Sequence, residues 1–161
     1  MCNHDIQLGG LGCQGDQRQL EAENKALVCE IYAAIDAQDY DQVGNMMTED
    51  FRLVYVGMPK PLSKDQTLEL IRGFYFAFPD SKHAIETIVA DHDVVAASFT
   101  YHATHQGVFE GIPPTGNRVE YSGAQIIKIV GGKIAECWAL EDNLGLMSQL
   151  GMQLTPAEPG T

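Results

Sequence analysis

The feature that most constrains the fold is a change in hydrophobic period halfway along the chain. Between residues 17 and 79 apolar side chains recur about every 3.6 residues, as Leu20 and Leu27 do, which is the period of an amphipathic helix. One short strand, predicted at residues 51–56, interrupts these helices. Between residues 83 and 141 the apolar positions alternate with a period of 2, which is typical of strands. Helices followed by a run of antiparallel strands predict an α+β domain.

Capping and turn residues set the predicted limits of the domain. Residues 1–16 are rich in glycine and show little periodicity, so they predict a flexible N-terminal arm. Residues 17–152 predict one domain, and residues 153–161, with prolines and a glycine, predict a loose tail. Ser63 begins a capping box for the third helix, and Gly131-Gly132 predicts a tight hairpin turn.

Composition excludes several classes of function. The chain has 161 residues and a formal net charge of −12, a sign that repels phosphate backbones and anionic lipids, so neither nucleic acid nor a membrane is expected as a partner. No apolar run approaches the roughly 18 residues of a membrane helix, and the N-terminus does not resemble a signal peptide. We therefore expect a cytoplasmic protein. The irregular cysteines (Cys2, Cys13, Cys29 and Cys137) predict free thiols and no metal site, and motifs that bind phosphate or dinucleotides are missing.

Polar residues on the inward face of the predicted sheet are the candidates for ligand contact. In the strands predicted at 94–105 and 118–130 the odd-numbered positions are the more apolar and are expected to face inward. Gln125 is one uncharged polar side chain on this otherwise apolar face of its strand. Burying an amide without a partner costs about 1–3 kcal/mol, so either a neighbouring protein group or a ligand carbonyl must meet it. His105 ends the strand predicted at 94–105 with its side chain inward. It either orients or protonates a ligand or bonds to the adjacent loop backbone.

Aromatic residues form the second group of candidates. Tyr55 and Tyr101 face inward by alternation and offer a ring surface and a hydroxyl, although plain core packing would explain them equally well. Phe78 lies on the apolar side of the third predicted helix and is a further candidate for ligand contact.

The last predicted strand, residues 133–141, holds an ambiguity that periodicity does not resolve. If its odd positions line the interior, Cys137 and Ala139 form part of the wall, and Glu141 is a candidate acid/base whose pKa burial would raise. If its even positions line the interior, Trp138 forms part of the wall instead. Asp142 follows at once and predicts either the N-cap of a closing helix or a second candidate carboxylate.

Three segments resemble one protein family. Residues 104–116, Thr-His-Gln-Gly-Val-Phe-Glu-Gly-Ile-Pro-Pro-Thr-Gly, are similar to the T-H-x-G-x-F-x-G-x-P-P-T-G motif of SnoaL-like polyketide (ester) cyclases. Residues 132–138 and 142–151 resemble the family's closing strand and helix. The resemblance covers about residues 20–152 and implies a nuclear-transport-factor-2-like cone that encloses a pocket. It also implies a homodimer or higher homo-oligomer, and ring closure of an apolar, polyketide-like carbonyl compound by aldol condensation without metal or cofactor.

The chain departs from that family at the positions where the chemistry is expected. The family's acid/base aspartate falls on Ala139 or, in an alternative placement, on Asp142. Its histidine falls on Gln125, and the base of related ketosteroid isomerases on Tyr55. Glu141 or Asp142 would then substitute as the acid/base of a cyclase, lyase or isomerase, with His105 and Gln125 as hydrogen-bond partners. Two alternatives stay open: a non-catalytic carrier of a small apolar ligand that uses the same pocket, and an oligomeric scaffold with a residual cavity.

Overall fold

A computed structural model describes residues 10–153 and 155, and it has the α+β architecture that the change of period predicts. Four helices and six strands follow one another in the order α1 (Gly10–Asp36), α2 (Tyr40–Asn45), β1 (Met47–Tyr55), β2 (Leu62–Ser63), α3 (Lys64–Ala77), β3 (Lys82–Asp91), β4 (Val94–Thr104), β5 (Arg118–Val130), β6 (Lys133–Glu141) and α4 (Asn143–Gln149). The limits of β5 and β6 are those predicted, because the glycine turn between them interrupts a clear alternation.

The strands form one open sheet in the order β2-β1-β6-β5-β4-β3. Strands β3 to β6 are antiparallel neighbours, as the alternation predicts. Strand β1 departs from this arrangement because it pairs in parallel with β6, the last strand. The first and last strands are thereby joined, and α1 and α3 pack across the same face of the sheet.

The helix limits follow local capping, with one correction at the N-terminus. The predicted capping box is present: the Ser63 hydroxyl accepts from the Gln66 backbone N–H, and the Gln66 side chain accepts from the Ser63 backbone N–H. Helix α1 begins at Gly10, earlier than the start predicted at Gln17, so residues 10–16 of the predicted arm are helical. Residues 1–9 and most of the predicted tail lie outside the described residues.

The core lies on the face of the sheet that the odd-numbered residues of β4 and β5 were predicted to form. Val95, Phe99, Tyr101, Tyr121 and Ile127 are all buried there, which confirms the predicted inward face of both strands. Side chains of α1 and α3 pack against this face and complete the core. Of the cysteines with described side chains, Cys29 and Cys137 are both free thiols. No helix in the described part of the chain is long and apolar enough to span a membrane.

Candidate functional site

A cavity of about 560 Å³ opens between the helices and the concave face of the sheet. This volume is within the range of about 300–1,000 Å³ that small-molecule sites occupy. Its wall is built by α1, α3, α4, the inward faces of β1 and of β3 to β6, and the loop after β4. Apolar side chains dominate the wall, and every tyrosine of the chain except Tyr40 contributes to it. Its few polar groups therefore determine what chemistry it can perform.

The orientation of β6 answers the question that its sequence left open. Cys137 and Ala139 are buried in the cavity wall, whereas Trp138 and Leu140 are on the opposite, solvent-exposed face of the sheet. The odd positions therefore line the interior. Since Glu141 continues the same face, its carboxyl lies at the end of β6 within the cavity lining.

The carboxyl of Glu141 is nearly enclosed and has one close donor. The Tyr55 hydroxyl donates to Glu141 Oε2 at 2.9 Å, and Asn143 Nδ2 donates to the same hydroxyl oxygen at 3.2 Å. Burial raises the pKa of Glu141 to about 6, and the hydrogen bond from Tyr55 offsets part of that rise. A carboxyl with this pKa can take up and release a proton near neutral pH.

Gln125 is satisfied by the protein on one side of its amide only. The Tyr32 hydroxyl donates to Gln125 Oε1 at 2.9 Å, and both residues line the cavity. Within the described residues the Gln125 Nε2 makes no hydrogen bond. The two interpretations of Gln125 are therefore compatible, because a protein group meets the oxygen while the NH2 group stays available to a ligand.

Two further tyrosines stack in the centre of the wall. The rings of Tyr101 and Tyr121 lie on adjacent strands, with centroids 4.9 Å apart and planes at 25°. Burial, followed by the nearby charge of Glu141, raises the pKa of both hydroxyls above the ordinary value. Both therefore stay neutral and can donate hydrogen bonds.

Three predicted site residues lie outside the cavity lining. His105 is fully buried, but its Nδ1 accepts from the Thr115 backbone N–H at 3.2 Å and its ring stacks on Phe78. It therefore fixes the loop after β4, which was the alternative interpretation of this residue. Phe78 is a core residue beneath that loop, and Phe74, one turn earlier, reaches the cavity instead. Asp142 is exposed and caps α4 by accepting from the Gly145 N–H at 2.8 Å, which confirms its predicted N-cap role.

The sequence reasoning missed a histidine–aspartate pair at the other side of the cavity. His83 Nδ1 lies 2.6 Å from Asp36 Oδ1, and the His83 backbone N–H donates to Asp36 Oδ2 at 3.0 Å. The Tyr75 hydroxyl also donates to this carboxylate, at 2.8 Å. His83 occupies an inward position of β3, and that alternation was the available signal. Asp36 ends α1, and only the tertiary structure brings the two residues together.

Among the described residues, one group of side chains of the type that binds metal ions lies at the surface. Glu21, Asp91 and His92 place three ligand atoms within 4.8 Å of one another beside the turn between β3 and β4. None of the three contributes to the cavity wall.

Comparison with known proteins agrees with this geometry. The model of the SnoaL-like polyketide cyclase family matches residues 26–150. AclR from Streptomyces galilaeus, a candidate hydroxylase, is 33% identical, with a TM-score of 0.76 over 81% of this chain and 97% of its own. A candidate SnoaL-like polyketide cyclase from Jannaschia sp. CCS1 is 21% identical, with a TM-score of 0.77 over 84% of this chain and 96% of its own.

The candidate polyketide cyclase IdmH from Streptomyces antibioticus shares 24% identity, with a TM-score of 0.74 over 80% of this chain and 99% of its own. No curated protein matches this chain in sequence. The predicted nuclear-transport-factor-2-like cone is confirmed by these structures. The family match covers most of the chain, so the protein belongs to the SnoaL-like polyketide cyclase family.

Proposed function

We propose that the protein is a cofactor-independent enzyme that closes a ring in an apolar carbonyl compound, with Glu141 as its acid/base. The observation that carries this proposal is the Glu141 carboxyl, which lies in the wall of an apolar cavity with a pKa raised to about 6. A carboxylate in this setting is a stronger base than one in water and is still ionised at neutral pH.

The proposed reaction is an intramolecular aldol closure. Glu141 takes a proton from a carbon next to a carbonyl group, and the electron pair of the broken C–H bond passes into an enolate. The enolate carbon then attacks a second carbonyl carbon of the same molecule, which forms the ring bond and leaves a negative charge on that carbonyl's oxygen. Protonation of this oxygen completes an isomerisation in which no atom is gained or lost.

The remaining cavity groups fit the charge that develops in this reaction. The unpaired Nε2 of Gln125 and the neutral hydroxyls of Tyr101 and Tyr121 are donors for an enolate oxygen. In an apolar enclosure fixed donors stabilise such a charge more strongly than they would in water. The small side chains of Cys137 and Ala139 leave space in the wall for the folded substrate.

A carrier function is the second candidate, and one residue favours it. Ala139, where the resemblance places the family's acid/base aspartate, is a buried part of the cavity wall. A protein that had lost its catalytic carboxylate but kept the cavity would bind a ligand without converting it. The carrier and the cyclase differ in whether Glu141 takes over the role of that aspartate.

Liquid chromatography coupled to mass spectrometry separates these functions, because a cyclic isomer has the mass of its precursor but a different elution time. Aromatic polyketide precursors with several carbonyl groups are incubated with the wild type, with Glu141→Gln and with Asp142→Asn. We expect the wild type and Asp142→Asn to form a cyclic product of unchanged mass, or of that mass less one water, and Glu141→Gln to form almost none. Asparagine is as good an N-cap as aspartate, so Asp142→Asn is a matched control that keeps α4 intact.

Other outcomes would point elsewhere. Bound but unconverted precursor would identify a carrier. A gain of one oxygen atom would favour the hydroxylation suggested by the likeness to AclR. Equal turnover by the wild type and Glu141→Gln would refute the role proposed for Glu141.

Three further expectations stay predictions. The family resemblance implies a homodimer or larger homo-oligomer, which analytical ultracentrifugation would detect. A cytoplasmic location and the absence of a cofactor are likewise predicted from the sequence, and cell fractionation and mass spectrometry of the purified native protein test them.

A further inference from the structure

His83 lies in the cavity wall at a distance from Glu141. On the sheet it pairs with Tyr101 of β4, which pairs with Tyr121 of β5. Glu141 belongs to β6, the strand that follows β5, and pairs with Gly123, two residues beyond Tyr121 on the same face. His83 and Glu141 are therefore three strand spacings apart, about 14 Å across the backbone. The cavity reaches both of them.

Asp36 fixes the orientation and the protonated nitrogen of the His83 ring. Burial would raise the pKa of Asp36, but the hydrogen bonds and charge interaction with His83 and the hydrogen bond from Tyr75 outweigh it and hold this pKa below its ordinary value. Asp36 is therefore an anion at neutral pH. Its short contact with Nδ1 requires a proton on that nitrogen, so Nε2 is the ring nitrogen left for a ligand.

The surroundings of the ring support a chemical role beyond joining two elements. The hydrogen bond from the His83 backbone N–H to Asp36 already joins the end of α1 to β3, and it needs no imidazole. The ring itself packs against Tyr32 and Tyr101, with centroid distances of 4.8 and 4.2 Å. Its Nε2 makes no hydrogen bond to any described residue. A ring that is packed against two aromatic side chains and held at Nδ1 leaves one free nitrogen, and His83 lines the cavity.

We propose that His83, positioned by Asp36, is a second substrate-binding residue of the cavity, and that the substrate is an extended molecule whose end remote from Glu141 carries an oxygen function. This inference rests on the proposed function, since it names the substrate class of the same site. The oxygen that becomes negative during ring closure lies beside the new bond and therefore near Glu141, which can return its proton to that oxygen. His83 Nε2 instead makes a hydrogen bond to the remote oxygen function and so fixes the orientation of the substrate in the cavity.

The test uses the full-length protein and a defined probe, 1,8-dihydroxyanthraquinone, an apolar phenol with carbonyl oxygens. Histidine ring resonances of ¹⁵N-labelled wild type are recorded with and without the probe. We expect the His83 Nε2 signal to shift on binding, while the signals of His92 and His102, both outside the cavity, stay in place. A purely structural His83 would gain no hydrogen bond at Nε2 and would show only the small shift that a nearby aromatic ring causes.

The affinity of variants for the same probe provides a second test. We expect His83→Gln to weaken probe binding about tenfold, the equivalent of one lost hydrogen bond. Asp36→Asn, which retains an acceptor for the His83 backbone N–H, should weaken it severalfold and alter the His83 Nδ1 signal. His92→Gln is the matched surface control and should bind like the wild type. Thermal unfolding of each variant confirms that it is folded.

Two results would overturn the inference, and they are distinguishable. If the probe binds and Glu141→Gln changes its affinity, while His83 neither shifts nor matters for binding, His83 is structural and the proposed function stands. If the wild type does not bind the probe at all, the binding role proposed for His83 fails, and the turnover assay of Glu141→Gln decides the proposed function separately.

Discussion

The pKa values of the two carboxyl groups beside the cavity are shifted in opposite directions. Glu141 has one close donor, the Tyr55 hydroxyl, and burial raises its pKa to about 6. Asp36 is half-buried and burial acts on it in the same direction, yet its pKa is lowered, because the His83 ring, the His83 backbone N–H and the Tyr75 hydroxyl all stabilise its anion.

This contrast shows that donors around a carboxyl, and not burial alone, decide what it can do. A carboxyl with few donors has a raised pKa, so it can take up and release a proton near neutral pH. A carboxylate with three donors is a fixed negative charge, suited to holding a histidine in place. The same cavity thus has a titratable carboxyl at one end and a permanent anion behind the wall at the other.

The largest expected effect is the loss of turnover in acid. Because the proposed base must be ionised, activity should fall about tenfold for each pH unit below the Glu141 pKa of about 6. The pH–rate profile of the wild type measures this, and Asp142→Asn should have the same profile. A profile that stayed flat down to pH 4 would show that Glu141 is not the titrating base.

Replacing the fixed anion should cost the most stability. We expect Asp36→Asn to lower the free energy of unfolding by about 2–3 kcal/mol at pH 7, because the charged acceptor of these hydrogen bonds is replaced by a neutral one. A carboxyl with a lowered folded-state pKa contributes stability above its unfolded pKa of 3.8, and loses it as the pH falls through the folded value. Urea unfolding should therefore show the gap between variant and wild type closing in strong acid. A gap that did not depend on pH would mean that charge is unimportant at this position.

The sequence predicted the fold and one half of this contrast. Alternation and the Gly131-Gly132 turn predicted the limits of β5 and β6, and they predicted Glu141 in the cavity if the odd positions of β6 face inward. The sequence did not show which face of β6 is inward. The large apolar residues Trp138 and Leu140 are on the exposed side, while the smaller Cys137 and Ala139 line the cavity. Hydrophobicity alone would have favoured the wrong face.

The other half depends on contacts that no local pattern contains. Asp36 and His83 are 47 residues apart, at the end of a helix and the start of a strand. The parallel pairing of β1 with β6 is equally non-local, and it is what brings Tyr55 to Glu141. His105 was correctly placed inward, but the loop that follows it folds back onto its ring and separates it from the cavity.

Replacing the titratable carboxyl of Glu141 by an amide should stabilise the fold at pH values where the carboxyl is ionised. The rise in the Glu141 pKa from 4.5 to about 6 means that ionisation opposes folding, by about 2 kcal/mol once the pH exceeds both values. Glu141→Gln should therefore be more stable than the wild type by up to this amount at pH 8, and the gain should vanish below pH 4.5. Chemical denaturation at the two pH values measures it. A variant less stable than wild type at pH 8 would contradict the raised pKa.

The smallest expected effect tests whether a hydrogen-bond donor lowers the pKa of Glu141, as donors lower the pKa of Asp36. The Tyr55 hydroxyl stabilises the ionised carboxylate and so lowers the Glu141 pKa against the effect of burial. Tyr55→Phe keeps the ring in the wall and removes only that donor, so the midpoints of the pH–rate profile and of the pH-dependent stability should rise by a fraction of a pH unit. Tyr40→Phe, which changes a tyrosine outside the cavity, is the matched control. If the midpoint stayed the same in Tyr55→Phe, burial alone would set the pKa of Glu141. Hydrogen-bond donors would then control the pKa of Asp36 but not that of Glu141.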